Sequence, residues 1–133
     1  FQTARLFERA AEVVEELAGR GLVLAVATGK SRRGLDRDLD ATGLGRFMAA
    51  SRTAEETRSK PDPAMLLELM QGVGALPETT VMVGDTEWDL EMARRAGVPA
   101  VAAGYGAHAP ERLQRYAPLA CIDSIATLPT LLS

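Results

Sequence analysis

The chain has 133 residues, 47% hydrophobic and 25% charged, with 15 Lys and Arg against 18 Asp and Glu for a formal net charge of −3. This is an ordinary globular composition at single-domain length, and its slight acidity excludes a basic, non-specific nucleic-acid binder. No apolar run approaches the roughly 20 residues of a membrane span, the opening does not read as a signal peptide, and a lone Cys121 with no Cys/His cluster points to neither disulfide nor zinc, so a reducing, cytoplasmic setting is expected.

The chain starts Phe1-Gln2-Thr3, without methionine, which suggests a piece of something longer. Leu6, Phe7, Ala10, Val13, Val14 and Leu17 recur at helical spacing, and Gly19 and Gly21 end that helix. The continuous apolar run Leu22 to Ala27 reads as a strand buried on both faces of a parallel sheet. Arg32 to Ala41 reads as helix, Phe47 to Ser51 as a short strand, and Pro63 to Gly72 as helix with proline near its first turn. Between them, Thr53 to Ser59 is polar and the most loop-like stretch. Thr80 to Val83, Pro99 to Ala103 and Ala120 to Ile122 read as strands. Glu87 to Ala96, Glu111 to Tyr116 and Ile125 to Leu132 read as the helices that separate and follow them. Regular alternation with short connections predicts an α/β fold, a Rossmann-like parallel sheet with helices on both faces. No repeat or linker divides residues 1–133.

In open α/β sheets ligands bind past the carboxyl ends of the strands. The first strand is followed by Thr28-Gly29-Lys30-Ser31, a hydroxyl and exposed backbone N–H groups before a helix N-terminus, which suits a phosphate oxygen. The plain alternative is a βα turn with Ser31 as helix N-cap. After the third strand comes Gly84-Asp85-Thr86-Glu87-Trp88-Asp89. Carboxylates four residues apart on one helical face repel unless a cation lies between them, and hard oxygens suit Mg²⁺. The alternative is helix capping with acidic charge placed at the N-terminus. Ser59-Lys60-Pro61-Asp62-Pro63 places a lysine on a stiff backbone, where it could hold a point charge on a phosphate. His108 follows a strand on the ligand side, Arg32 and Arg33 could add positive potential near Lys30, and Trp88 and Cys121 read as packing residues. Gly104-x-Gly106 lacks the rest of a dinucleotide fingerprint.

Ala27-Thr28-Gly29-Lys30-Ser31, Ser59-Lys60-Pro61 and Met82-Val83-Gly84-Asp85-Thr86, in this order, resemble the haloacid dehalogenase (HAD) superfamily, in particular its phosphoglycolate phosphatase-like branch. The resemblance spans about Phe7 to Leu132. It implies that Thr28, Lys60 and Asp85 are catalytic, that Thr28, Gly29, Lys30 and Lys60 bind phosphate, and that Asp85 and Asp89 hold Mg²⁺. It also implies a phosphatase for small phosphorylated metabolites that works through an aspartyl-phosphate. The family's nucleophile motif, Asp-x-Asp at a strand tip, does not precede Thr28, and Asp36-Arg37-Asp38 falls inside a helix. Residues 1–133 therefore read as the C-terminal part of a HAD-like core, without a cap domain and without the strand that would lie between those ending at Thr28 and Gly84. That leaves two open strand edges, and self-association through them is an expectation. The alternatives are a phosphomutase of the same superfamily and a non-catalytic binding or oligomerisation module. No nucleic-acid or membrane partner is expected.

Overall fold

The computed structural model describes residues 3–104 and 107–132, and side chains from residue 11 onward. Tyr105 and Gly106, and the Leu6, Phe7 and Ala10 side chains, lie outside the described residues. The elements run α1 Thr3–Gly19, β1 Leu24–Thr28, α2 Arg32–Thr42, β2 Met48–Thr53, α3 Ala64–Val73, β3 Met82–Gly84, α4 Glu87–Ala96, β4 Ala100–Ala103, α5 Pro110–Gln114, β5 Ala120–Ile122 and α6 Leu128–Leu131. Short 3₁₀ turns at Leu44–Phe47, Pro77–Thr79 and Ile125–Thr127 take up chain that the sequence pattern assigns to linkers or to neighbouring elements. No helix among the described residues is long and apolar enough to cross a membrane.

All described strand pairs are parallel, but they form two sheets. β1 pairs with β2, with Thr28 opposite Thr53. β4 pairs with β3 on one side and β5 on the other, with Ala102 opposite both Gly84 and Cys121. The two sheets share their packing. Successive residues of a strand face opposite ways, so Met82 joins one cluster with Met65, Leu66 and Met70 of α3 and Met92 and Ala93 of α4. Val83 packs on the other face, against Val13 and Leu17 of α1, Val101, Ile122 and Leu128. β1 contributes to both clusters, Ala27 to the first and Leu24 to the second. Helices thus cover both faces, as the alternation predicts.

β1 departs from its predicted burial. It begins at Leu24, and Leu22 and Val23 before it are exposed, Val23 at 61%. None of its five residues is buried, whereas three of the four in β4 are. The reason is neighbours: among the described residues β4 is flanked twice, while β1 has β2 alone. An apolar run signals hydrophobicity but does not guarantee that both flanks are filled.

Candidate active site

The turn after β3 is built around one carboxylate. Thr86 is the N-cap of α4, and its hydroxyl accepts from the Asp89 amide at 3.1 Å. Asp89 Oδ2 accepts in return from the Thr86 amide at 3.2 Å, the Thr86 hydroxyl at 3.0 Å and the Asp85 amide at 3.2 Å. This is a capping box in which two orphan helix donors are satisfied reciprocally. Lys60, whose peptide to Pro61 is cis, donates its ammonium to Asp89 Oδ1. Asp89 is 3% exposed, and both of its oxygens are committed. The approach is close enough to require Gly84: a Cβ there would stand 2.7 Å from Asp89 Cγ and 2.8 Å from Oδ2.

Asp85 sits one residue past β3. Its Oδ2 accepts from the Ala107 amide at 3.0 Å, and its carbonyl accepts from the His108 amide at 3.0 Å. Its Oδ1 has no partner among the described residues and is open to a cation. Magnesium takes hard oxygens in near-octahedral geometry. Asp85 fits as one such donor, and Asp89 already accepts from protein donors on both oxygens, with acceptor capacity left on Oδ1. Among the described residues no three His, Cys, Asp or Glu side chains gather as a metal-binding group.

At the other sheet, Thr28 Oγ1 accepts from the Lys30 amide at 3.2 Å, which leaves the hydroxyl proton for an outside acceptor. Gly29 faces open space. Ser31 caps α2, accepting from the Gly34 amide at 3.0 Å, as the plain reading of this turn has it. The Lys30 ammonium pairs with Asp38 of α2. Asp36 pairs with Arg32 at 3.0 Å, so the Asp36-x-Asp38 pair lies on a helix, engaged with its own neighbours.

The stretch after β2 is less loose than its polarity suggests. Thr53 is fully buried, and its amide donates to Glu56 Oε1 at 2.9 Å. Arg32 donates to the same oxygen at 2.8 Å, and the Arg32 amide donates to Glu55 Oε1 at 2.7 Å. The Arg32 guanidinium and then the Thr53 amide hold the Glu56 carboxyl below the usual carboxylate range. This loop, pinned to α2, carries the chain from β2 to Lys60.

Lys60, Asp85 and Asp89 are thus brought together, and Thr28, Gly29 and Lys30 form a second group past β1. Among the described residues no hydrogen bond or ion pair joins Thr28 or Gly29 to Lys60, Asp85 or Asp89. The sequence reading did not anticipate the hold of residues 107 and 108 on Asp85. The β4–α5 connection lies beside Asp85 because β4 pairs with β3, and no local pattern in residues 104–109 announces that. His108 Nδ1 accepts from the Glu87 amide at 3.0 Å, and its ring meets Trp88 edge-on at 5.9 Å and 76°. Trp88 itself is 51% exposed, more than a packing anchor would be. Cys121 is half-buried beside Tyr116 and the Leu90, Ala102 and Leu113 cluster, in keeping with a packing role.

The sequence profile of the haloacid dehalogenase-like hydrolase family matches residues 2–103. The chain is 38% identical over 118 residues to the protein named Probable phosphatase IndB of Dickeya dadantii, covering 86% of this chain and 51% of that one. It is 32% identical over 126 residues to a phosphoglycolate phosphatase of Rhodospirillum rubrum, covering 94% and 52%. It superposes with TM-score 0.88 and 25% identity on a crystal structure named as a predicted phosphoglycolate phosphatase from Haemophilus somnus, covering 94% and 56%. The chain spans about half the length of the relatives it matches.

Proposed function

Because the chain belongs to the haloacid dehalogenase-like hydrolases, we propose that it is the C-terminal part of the core of a Mg²⁺-dependent phosphatase for small phosphate monoesters. The observation that carries this reading is the Lys60–Asp89–Asp85 arrangement: a buried carboxylate fixes the lysine on one side and the turn presenting Asp85 on the other.

The roles follow from the donors and acceptors. The Thr28 hydroxyl and the Gly29 N–H would bind phosphoryl oxygens. Lys60 would oppose charge that builds on the transferring group, at an energetic advantage because its partner Asp89 already orients it. Lys30, held by Asp38, would contribute positive potential at the same turn. Asp85 would hold magnesium, whose chemistry is to stabilise charge on phosphoryl oxygen. Some relatives are named phosphoglycolate phosphatases and others pyrophosphatases, so the substrate proposed is a class, small phosphorylated metabolites, rather than one compound.

No Asp-x-Asp at a strand tip is present in these 133 residues, and the proposal is that they do not turn over phosphate esters alone. The test compares this chain with an upstream-extended protein on a generic aryl phosphate with Mg²⁺. Turnover by the longer protein alone, abolished by Asp85→Asn, is expected. Equal rates for the two, or an active Asp85→Asn protein, would overturn the reading.

A second reading is favoured by the sheet: β1 and β3 each have one strand neighbour among the described residues, so the chain could act as an association module. Light scattering across concentration tests the module, which a strictly monomeric chain overturns, and the turnover assay of the upstream-extended protein separates it from the catalytic segment.

A further inference from the structure

We propose that His108 is a positioning residue for the Asp85 carboxylate, an inference that rests on Asp85 being the site acid named above. Asp85 directly follows β3, and its carboxylate is not among the groups Asp89 holds. What fixes it is the neighbouring connection: Ala107 N–H to Oδ2 and His108 N–H to the Asp85 carbonyl, both at 3.0 Å. That connection needs an anchor of its own, and the His108 imidazole supplies it. Nδ1 accepts the Glu87 amide at 3.0 Å, so the ring proton resides on Nε2. The two segments are therefore stitched at both ends of the 85–87 turn, by backbone at residue 85 and by imidazole at residue 87.

The ring is held in this pose from one more direction: Trp88 packs against it edge-on. Glu87 Oε2 lies 3.8 Å from Nδ1 but makes no bond to it, since both atoms are acceptors, and is claimed instead by Arg112 of α5. Only 16% of the His108 side chain is exposed, so water is a poor substitute for the imidazole at the Glu87 amide. Without the ring, residues 107 and 108 lose their hold on α4, and Ala107 leaves Asp85 Oδ2. Asparagine restores the essential atom, because its amide oxygen stands where Nδ1 stands.

The test uses the chain as it is, with His108→Ala and His108→Asn, and two readouts by NMR. The first is exchange of the Ala107 amide proton, which reports its bond to Asp85. The second is the Mn²⁺ concentration that half-broadens the Gly84 and Thr86 amides. In His108→Ala the Ala107 exchange should quicken about fivefold or more, and the Mn²⁺ requirement should rise several-fold. His108→Asn should return both to within about twofold of the parent. Unchanged Ala107 exchange in His108→Ala, or no rescue by Asn, overturns the proposal. If the parent chain shows no Mn²⁺ effect at all, Asp85 fails as a metal donor while the Ala107 readout still decides the role of His108. Should His108→Ala not fold, the parent itself decides: long-range ¹H–¹⁵N spectra must show the proton on Nε2, and an Nδ1–H ring overturns the inference.

Discussion

Lys60 and Asp89 stand 29 residues apart in the chain, and meet as an ion pair whose carboxylate also closes the turn after β3. One side chain therefore holds the loop after β2 and the start of α4 in a common frame. The two acids of the motif have unequal structural weight. Asp89→Asn takes the countercharge from Lys60 and puts an amide group among donors, at a cost of about 3 kcal/mol. Asp85→Asn keeps an oxygen for Ala107 and should cost less than about 1 kcal/mol. Urea unfolding of the two variants checks this, and equal midpoints would refute it.

Gly84→Ala forces a methyl group against the Asp89 carboxylate. Neither partner can yield, since Asp89 is bonded on both oxygens. A loss of about 1–3 kcal/mol is expected in thermal or urea unfolding. An unchanged transition would mean that the close approach of β3 and α4 is not as described.

The two helix caps can be ranked. Ser31→Ala removes one acceptor at an exposed helix start and should cost about 1 kcal/mol. Thr86→Ala removes an acceptor and a donor to Asp89, and should approach about 2 kcal/mol. Thr86→Ser should recover most of that loss. Chemical denaturation of the three variants gives the order directly.

Acid stability should carry a signature of Glu91. Hydrogen bonds from Arg94, then Arg95, lower its carboxyl from the ordinary 4.5 to about 2 in the folded chain. A folded value below the unfolded one stabilises above pH 4.5, and the contribution is lost as pH falls through about 2. Glu91→Gln should therefore destabilise at neutral pH, and the gap to the parent should close in that acid window. A gap independent of pH would contradict the assignment. Because its partners Arg94 and Arg95 are exposed, added salt should shrink the gap.

Much of the fold was legible because helix and strand periods differ: α4 and β5 match their predicted bounds, and α2 and β4 do so within a residue. β1 was legible as a strand, and its open edge followed from the missing Asp-x-Asp strand, but residues 22–27 by themselves read as buried because an apolar run carries no record of its neighbours. Thr86-x-x-Asp89 illustrates a different limit. The spacing of a metal pair and that of a capping box overlap at Asp89, and only the positions of Thr86 and Lys60 show where its oxygens go. The Ala107 and His108 contacts with Asp85 depend on which strand lies beside β3, a long-range fact that no window around residue 108 contains.

The one-sided pairing of β1 also bears on how the chain behaves in concentrated solution. Its other edge pairs with no strand among the described residues, and exposed Leu22 and Val23 precede it, while a net charge of −3 supplies only mild repulsion between copies. Salt that screens this repulsion removes the main long-range obstacle to edge contact, so solubility is expected to fall as ionic strength rises, as turbidity across a salt series would measure.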